Sequence, residues 1–529
     1  MCRRIEQGLH IYFVKNKNGN RGTFPSLASL TIETLMGELK YQFKNSLECS
    51  VREVCSMQGM LSFYDKEEIV RFVSENGVKI LNLCHIPEDG RLKTLSFSAT
   101  DKERLSDVLE LGERVDGSSL LSFVEAGKSD IYVTPKIGRA FVNPFSKLPT
   151  LNILCDYLDE NGKPLEVSPK NVLARAEEKL LSSSGILLKA LTELEFFLIS
   201  SKQDETLFPA ASDKNYHESS PFALFEDLRN EVLVTLAVVG IATKYGHSEV
   251  GRIVAEKGFV MEQHEIEFMP QGLTDMADTV AVAKWIVRNI CVRYGVSVSF
   301  SPKISLTHAG NGMHVHLCGS REGKNVVAND DGTLSDDAKK MIGGILKFAP
   351  SLAAFGNTQP VSYLRFIARK ESPMHICWGA RNRLALIRIP LWWSLKKEAR
   401  GQNSCRETFE YRAPDAFANA YLLFAGLALA AEYGLRNGKE SLKLAENLHV
   451  EAGGGEPKEL KVLPYCCSES ADNLKKDRKL YEINDVFPKR LIDKTVDRLK
   501  AYKDENLKKM VTEKPRKIEK LINQYLHYG

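Results

Sequence analysis

The chain has 529 residues, of which 43% are hydrophobic and 26% are charged, values typical of a folded protein with two or three domains. The formal net charge is only +4, so the charge balance gives no reason to expect nucleic acid as a main partner. The 11 cysteines include no Cys-x-x-Cys pair, and the N-terminus lacks a secretory pattern, so we expect a reducing, cytoplasmic location.

The first part of the chain is predicted to form a small domain rich in β structure. Residues 1–65 show weak periodicity and are interpreted as an N-terminal extension. An amphipathic helix, KEEIVRFVSENG, is predicted to end at Gly77, followed by the strands VKILNLCHI and LKTLSFSA around a PEDG turn. A further strand, TLNILCDYLD, precedes the turn NGKP, and we place this domain at residues 66–165.

A larger domain is predicted over residues 166–529. It opens with the helix SPKNVLARAEEKLLSSSG and continues with short strands and helices, among which TDMADTVAVAKWIVRNICVRYG is the strongest helical pattern. The most apolar segment, Ala416–Ala431, is short for a membrane span and stops at Glu432, so it is predicted to be a buried helix. The Lys-rich region from about residue 456 is predicted to be helical, with a solvated face.

Pairs of ionisable residues two positions apart recur in strand-like segments, and two such positions share one face of a strand. The pairs are Glu193 and Glu195, His247 and Glu249, Glu265 and Glu267, His314 and His316, and Glu410 and Arg412. Any single pair could be the wet face of a half-buried strand. Together they favour a functional site, because their neighbours are apolar and the strand faces carry Glu, His and Arg rather than Lys, Thr and Ser.

A sheet face with five or six carboxylates would repel itself unless cations lie among them. Oxygen ligands with only one or two imidazoles suit Mg²⁺ or Mn²⁺ rather than zinc. Mg²⁺ in proteins commonly accompanies phosphate.

A second cluster consists of arginines in apolar strands, which need anionic partners such as phosphate or carboxylate. Its members are Arg381, Arg383 and Arg388, flanked by Arg365 and Arg412. Structural salt bridges to the glutamates of the paired segments are the alternative. The segment SFVEAGKSD contains Gly-Lys-Ser, but Ser122 stands where a phosphate loop needs its first glycine, so ATP would be held without such a loop.

Six motifs in this order resemble the glutamine synthetase family, prokaryotic type I most closely, over a stretch from about residue 66 to the C-terminus. The motifs are TELEFF, GHSEV, EQHEIEF, GNGMHVH, ARNRLALIRIP and FEYRAPD. RVDGSSL and KSDIYVTP are similar to the latch region of the family's N-terminal domain. The resemblance implies an α+β fold, with a small β-grasp domain before a large catalytic domain whose curved antiparallel sheet, a half-barrel, is surrounded by helices.

The resemblance also implies a funnel-shaped site with two metal ions, Mg²⁺ or Mn²⁺, and ATP as a substrate. The implied ligands of the first ion are Glu195, Glu249 and Glu265, and those of the second are Glu193, His314 and Glu410. The implied contacts to glutamate and ammonium are Gly310, Arg365, Arg412, Ser119 and Tyr216, and those to ATP are His316, Arg383 and Arg388. Asp116, Glu371 and Arg383 are the implied catalytic residues.

The expected reaction is the ATP-dependent formation of glutamine from glutamate and ammonium through γ-glutamyl phosphate, a step of nitrogen metabolism. Asp116 and Ser119 match latch residues that reach a neighbouring subunit's site, which implies a homo-oligomer of stacked hexameric rings, with no nucleic-acid or membrane partner. Two alternatives stay open: a γ-glutamyl amide ligase that uses a larger amine, and a non-catalytic structural relative. Retention of Asp116, Ser119 and Glu371 favours ammonium, and retention of all six ligand positions argues against the structural relative.

Some positions depart from the family pattern. Glu249 and Glu265 are 16 residues apart, a longer spacing that we attribute to a longer hairpin, GRIVAEKG. Thr408 stands where the family usually has an arginine, Ala309 replaces an asparagine in the glutamate loop, and SYLRFIARKESP lacks the usual Pro-Gly of the flap. His449 occupies the place of a modified tyrosine, so we expect no adenylylation. The metal set is intact, and the departures bear on the substrate.

Overall fold

The computed structural model describes residues 60–125, 127, 129–200, 211–254, 259–392, 406–451 and 460–529. The predicted N-terminal extension therefore lies almost entirely outside the described residues. Two β-sheets organise the described part of the chain, one of five strands and one of ten.

The five-stranded sheet has the strand order β2-β1-β5-β4-β3, in which β1 runs parallel to β5 and the other neighbours are antiparallel. Its strands are β1 (Ile80–His85), β2 (Lys93–Ser98), β3 (Glu113–Asp116), β4 (Asp130–Val142) and β5 (Thr150–Leu158). Two helices, α1 (Lys66–Glu75) and α2 (Lys102–Leu111), accompany it and begin at the aspartate caps Asp65 and Asp101. This is the β-grasp domain that the sequence predicts.

The ten-stranded sheet has the order β13-β14-β15-β11-β6-β8-β7, with β9 and β10 on β6 and β12 on β11. Only β13 and β14 are parallel among these pairs. The strands are β6 (Leu187–Ser200), β7 (Thr243–Val254), β8 (Val260–Phe268), β9 (Gln271–Gly272), β10 (Ser297–Ser299), β11 (Met313–Arg321), β12 (Lys324–Asn325), β13 (His375–Ala380), β14 (Ala385–Ile389) and β15 (Phe409–Tyr411). The sheet is the curved half-barrel of the predicted catalytic domain.

Helices surround the half-barrel. They are α3 (Pro169–Ser184), α4 (Glu226–Val238), α5 (Leu273–Tyr294), α6 (Asp336–Gly356), α7 (Pro360–Ala368), α8 (Ala420–Arg436), α9 (Gly438–Asn447), α10 (Cys467–Tyr481), α11 (Lys489–Lys500), α12 (Leu507–Glu513) and α13 (Pro515–Tyr525). Helix α8, predicted from the apolar segment, is buried along almost its whole length. No helix among the described residues combines the length and the apolar character that crossing a bilayer requires.

Close contact between α6 and α8 depends on glycine. A Cβ atom on Gly344 would lie 2.1 Å from the carbonyl oxygen of Ala430, and one on Gly434 would lie 2.0 Å from that of Lys340. The missing side chains let the two backbones approach closely, so that the buried faces of both helices pack together.

A buried ion network joins the two domains. Lys170 at the start of α3 places its Nζ 2.8 Å from Asp156 Oδ1 on β5 and 3.7 Å from Asp278 Oδ1 on α5. Tyr421 on α8 donates its hydroxyl to Asp278. Lys170 and Asp278 are buried, whereas Asp156 is half-buried, so the Lys170 and Asp278 charges are shielded from water and depend on their partners.

We expect the change Lys170→Met to destabilise the protein by roughly 3–5 kcal/mol, because it leaves the buried Asp278 carboxylate and the half-buried Asp156 carboxylate without this cation. Denaturant unfolding measures this loss. The matched control is Lys500→Met, which removes the ammonium of a solvent-exposed pair with Asp472 at 2.6 Å and should cost at most about 1 kcal/mol. Equal losses for the two variants would show that the buried network does not stabilise the domain junction.

Candidate active site

One face of the large sheet carries carboxylates and imidazoles in register. Glu195 on β6 lies directly opposite Glu265 on β8, and Glu265 lies opposite His247 on β7. His247 Nε2 is 3.2 Å from Glu265 Oε1. Like charges that face each other across a strand pair destabilise a sheet, so this row needs a proton or a cation between its carboxylates.

A second row runs parallel to the first. Glu193 on β6 lies between Glu267 on β8 and His314 on β11. His314 Nδ1 is 2.6 Å from Glu193 Oε2, and His316 Nε2 is 2.8 Å from Glu193 Oε1. Burial opposes ionisation of Glu193, but the hydrogen bonds from the two imidazoles outweigh it and hold the pKa of this carboxyl well below its usual value. Glu193 is therefore a carboxylate shared by two histidines.

A third row ends at the arginines. His316 on β11 lies opposite Glu410 on β15, which lies opposite Arg388 on β14. Glu410 is fully buried and accepts hydrogen bonds from Arg388 Nη1 at 2.9 Å and from Arg412 Nη1. Burial raises the pKa of Glu410, but Arg412 more than offsets this and the net shift is downward. In this structure two of the arginines thus make the salt bridges that were the structural alternative.

These rows border a cavity of about 350 Å³. Its lining includes the sequence-predicted residues Glu193, Glu195, Tyr216, Glu249, Glu265, Gly310, His314, Arg365, Glu371, Arg383, Arg388 and Arg412. The predicted residues His316 and Glu410 do not line the cavity themselves but contact residues that do. Side chains from widely separated segments therefore converge on one space.

A β-bulge directs Glu249 into this cavity. The pairing of β7 with β8 shifts register between Ser248 and Arg252, and Glu249 lies inside that shift. A bulge adds residues to one strand and re-aims the side chains within it. The longer spacing seen in the sequence is thus absorbed partly in this bulge and partly in the extended β7–β8 pairing, and residues 255–258 of the predicted longer hairpin lie outside the described residues.

The donor set fits a hard divalent cation. Sets of ligand atoms lie within 4.8 Å of one another in the groups Glu193–His314–Glu410, Glu193–Glu267–His316, His247–Glu249–Glu265 and Glu193–Glu195–Glu265. His314 Nε2 is buried and has no hydrogen-bond partner among the described residues. Burial, reinforced by neighbouring carboxylates, raises the pKa of Glu249 to about 9 and that of Glu265 well above its usual value. An orphaned imidazole nitrogen and carboxyls that resist ionisation are the groups that a bound cation would satisfy.

Two models of known protein families match the chain, one in each domain. The family described as glutamine synthetase, catalytic domain, matches residues 166–519, and the glutamine synthetase β-grasp domain matches residues 77–160. The chain belongs to the glutamine synthetase family. ATP and metal binding are typical of this family, and the family predicted from the six motifs is confirmed.

Curated relatives support the same assignment. The glutamine synthetase of Thermotoga maritima is 31% identical over 418 residues, which cover 78% of this chain and 90% of the relative. The glutamine synthetase of Azospirillum brasilense is 32% identical over 471 residues, which cover 82% of this chain and 94% of the relative.

Solved structures share the fold. A Plasmodium falciparum glutamine synthetase determined by cryo-electron microscopy superposes with a TM-score of 0.72 at 20% identity, covering 85% of this chain and 98% of that one. The protein GmaS in its apo form gives a TM-score of 0.67 at 21% identity, covering 83% and 98%. At such identities the match establishes the arrangement of a β-grasp domain before a half-barrel, and nothing about substrate.

The structure does not bring the latch residues of this glutamine synthetase family member into its own cavity. Asp116 ends β3 and is exposed, and Ser119 Oγ donates to Asp116 Oδ2 at 2.5 Å. Hydrogen bonds from Ser119 and Ser118 lower the pKa of Asp116 to about 2. A carboxyl with so low a pKa stays ionised near neutral pH and accepts protons poorly.

The flap segment is strained. Arg369 has φ +55° and Glu371 has φ +54°, the left-handed region that glycine adopts freely and other residues adopt at a cost. Ser372 Oγ donates to the carbonyl oxygen of Arg365 at 2.7 Å and ties the segment to α7. The Pro-Gly that the family pattern has here is absent, so the left-handed turn is made by residues with side chains.

Thr408, the departure from the family's arginine, has a structural role. Its Oγ1 lies 3.1 Å from His316 Nδ1. Because the other ring nitrogen of His316 contacts Glu193, the threonine hydroxyl fixes the orientation of the imidazole. Thr408 itself is 3% exposed and its carbonyl oxygen accepts from Trp392 Nε1 at 3.1 Å.

The predicted site omitted several residues that the structure places in or beside the cavity. His247 and Glu267 belong to the two-residue spacing pattern, but the family resemblance assigns roles only to their partners. Tyr245 and Lys370 also line the cavity. Tyr245 lies two positions before His247 on β7, so the same spacing would have found it, whereas Lys370 lies in an irregular segment that no periodicity marks.

The carboxyl cluster predicts how pH affects the metal-free protein. The folded state raises the pKa of Glu249 from 4.5 to about 9, so the unfolded chain binds fewer protons than the folded one between these values. The stability contribution is therefore fully present below the unfolded pKa and is lost as pH rises through the folded pKa. With a chelator present, we expect the melting temperature to fall steadily as pH rises across this window.

Differential scanning fluorimetry with EDTA, and again with saturating Mn²⁺, measures the effect. Mn²⁺ should remove most of the alkaline loss, because the cation stabilises the ionised carboxylates. A melting temperature that rises with pH in EDTA, or the same pH dependence with and without Mn²⁺, would contradict the predicted coupling of these carboxyls to a cation.

Proposed function

We propose that the chain is an ATP-dependent glutamate–ammonia ligase that forms glutamine through γ-glutamyl phosphate. The observation that carries the proposal is the convergence of two carboxylate-and-imidazole rows and several arginines on a single cavity, in a chain of the glutamine synthetase family. A carboxylate is a poor acyl donor, and phosphorylation gives it a good leaving group.

Two divalent cations, Mg²⁺ or Mn²⁺, belong to the proposal. Glu195, Glu249 and Glu265 would hold one ion, and Glu193, His314 and Glu410 would hold the other. When bound, such ions neutralise negative charge on the phosphoryl oxygens. The register of the strands supports this division, since the first set draws on the row that contains Glu265 and the second on the rows that contain His314 and Glu410.

Arg365 is suited to bind the glutamate carboxylate beside Gly310. It is 2% exposed and its Nη1 donates to the carbonyl oxygens of Ala413 at 3.0 Å and Pro414 at 3.2 Å. Among the described residues it forms no ion pair within 4.0 Å, so its charge is available to a ligand. The backbone permits this because a Cβ on Gly312 would lie 2.9 Å from Arg365 Nη2.

The other arginines and His316 would serve ATP and the transferring phosphoryl group. Arg383 lines the cavity and makes no ion pair with any residue that the structure describes, whereas Arg388 and Arg412 contact Glu410. A cation with no carboxylate partner can meet phosphoryl oxygens directly. Arg412 would turn toward glutamate when its carboxylate arrives.

Glu371 is the proposed proton acceptor for ammonium. Burial and the nearby Glu195 raise the pKa of the Glu371 carboxyl, which makes it a better base near neutral pH. Tyr216 lines the same cavity. In a stacked hexameric assembly, Asp116 and Ser119 of a neighbouring subunit would help to hold the ammonium ion. Closure of the Glu371 segment would exclude water that could hydrolyse the acyl phosphate.

The same proposal includes the domain boundaries and the location. We take residues 1–65 as an extension, residues 66–165 as the β-grasp domain and residues 166–529 as the catalytic domain with a helical C-terminal region. A cytoplasmic location accords with the free, buried thiols of the described cysteines.

A second candidate function is a γ-glutamyl amide ligase for a larger amine. The cavity wall near Glu249 is built of rings: His247 lies with its centroid 5.3 Å from that of Tyr216 and 5.8 Å from that of Tyr245. Aromatic surfaces favour substituted amines through cation–π and apolar contacts.

We expect phosphate release to require glutamate, Mg²⁺ and ammonium together. A coupled assay of ADP or phosphate release, run with ammonium and with a panel of primary amines, distinguishes the candidates. Activity with primary amines but not with ammonium would favour the second candidate function over the ammonium reaction. A folded, Mn²⁺-binding protein that releases no phosphate with any acceptor would be a non-catalytic relative.

For the change Glu371→Ala, we expect phosphoryl transfer to glutamate to survive while amide formation from ammonium falls by about 100-fold or more, because only the second step needs a base. Hydroxylamine is the control acceptor, since it is already largely uncharged at neutral pH and should restore product formation. Equal loss of both steps, or no recovery with hydroxylamine, would remove Glu371 from this role.

A further inference from the structure

One buried amide beside the cavity has a contact for every polar group it carries. Gln263 lies on β8 and is 1% exposed. Its Nε2 is 3.1 Å from each of three oxygens, namely Glu195 Oε2, the Gly310 carbonyl and Asn311 Oδ1. Its Oε1 accepts from the backbone N–H of Gly251 at 3.0 Å.

The β-bulge of β7 explains why this amide can have only one orientation. The register shift between Ser248 and Arg252 removes the Gly251 N–H from the ladder, and Gln263 Oε1 satisfies it instead. A Cβ on Gly251 would lie 2.6 Å from Gln263 Oε1, so only glycine allows the contact. Exchanging the amide oxygen and nitrogen would set a donor against this N–H and an acceptor against three oxygens.

Gln263 determines which oxygen of Glu195 is available. Glu195 Oε2 accepts from Gln263 and also from the backbone N–H of Gly312 at 2.8 Å. The other oxygen, Oε1, lies 3.8 Å from His314 Nδ1. Two donors therefore occupy one oxygen and leave the other for a cation.

The same amide holds the loop before β11. Asn311 is fully buried and its Nδ2 donates to the carbonyl oxygens of Ser299 at 3.1 Å and Ser301 at 2.9 Å, while its Oδ1 accepts from Gln263. The neighbouring carbonyl of Gly310 accepts from the same Nε2. The loop conformation at Gly310 thus depends on where Gln263 is held.

We propose that Gln263 is a positioning residue that couples cation binding at Glu195 to glutamate binding at the Gly310 loop. The inference rests on the proposed function of the cavity. A cation that draws Glu195 toward it stabilises the amide in the orientation that also fixes Gly310, and glutamate beside Gly310 stabilises the same orientation in return. Gln263 touches neither ligand and acts through Glu195 and the loop.

The test is the change Gln263→Met, which keeps the length of the side chain and removes both donors and the acceptor. Calorimetric titration of Mn²⁺ into the full chain, without nucleotide, should show binding to one site weakened by about tenfold. Titration of glutamate into the Mn²⁺-saturated protein should show a comparable loss, and ATP affinity should stay within a factor of about two, since the ATP-side ligands do not contact Gln263.

Thr192→Val is the matched structural control. Thr192 is also fully buried, on β6, but its hydroxyl faces Met276 of α5 rather than the cavity. We expect it to lower the melting temperature without changing Mn²⁺ or glutamate affinity. The proposal is overturned if Gln263→Met behaves like this control, or if it weakens ATP and glutamate binding equally.

A second variant keeps the test decisive if Gln263→Met does not fold. Gln263→Glu retains the shape and the acceptor for Gly251 but loses at least one donor hydrogen, so glutamate affinity should still fall; an unchanged affinity counts against the coupling. Both titrations work without turnover. A wild-type protein that binds Mn²⁺ and glutamate but releases no phosphate would overturn the proposed function and leave the role of Gln263 to be decided by these variants.

Discussion

Repulsion among carboxylates buried on one face of the half-barrel is the constraint on which the site depends. Glu195 faces Glu265 and Glu193 faces Glu267 across the same pair of strands, in surroundings with little water. The pKa shifts in the two pairs have opposite directions. Hydrogen bonds from two imidazoles outweigh burial and lower the pKa of Glu193, whereas burial and the neighbouring carboxylates raise the pKa of Glu265.

Much of the surrounding structure supports that arrangement. The bulge in β7 turns Glu249 inward and frees the N–H that orients Gln263. Glycines at 310 and 312 let the loop pass close to the Arg365 side chain. Thr408 holds the second nitrogen of a site histidine. Each of these residues acts on a side chain of the cavity or of its loop through one hydrogen bond or one close approach.

The strand-borne part of the site could be predicted from the sequence, because a period of two puts alternate residues on one face wherever a strand forms. Glu193, Glu195 and His314 follow from that rule together with the ordered motifs. Gln263 obeys the same rule, because it lies two residues from Glu265 on the same face of β8. Its amide carries no charge, however, so the sequence gives no signal of chemistry there. Lys370 and the left-handed turns at Arg369 and Glu371 lie outside any regular element, where periodicity says nothing.

The sequence by itself determined the two-domain fold class, the family and the set of ionisable side chains, since these depend on local periodicity and on the order of motifs along the chain. Only the tertiary structure decided which carboxylates stand opposite each other, which oxygen of Glu195 is left free, and that Arg388 and Arg412 meet on Glu410. Those features depend on strand register and on a bulge. Both are set by contacts between segments far apart in the chain, and no local pattern specifies them.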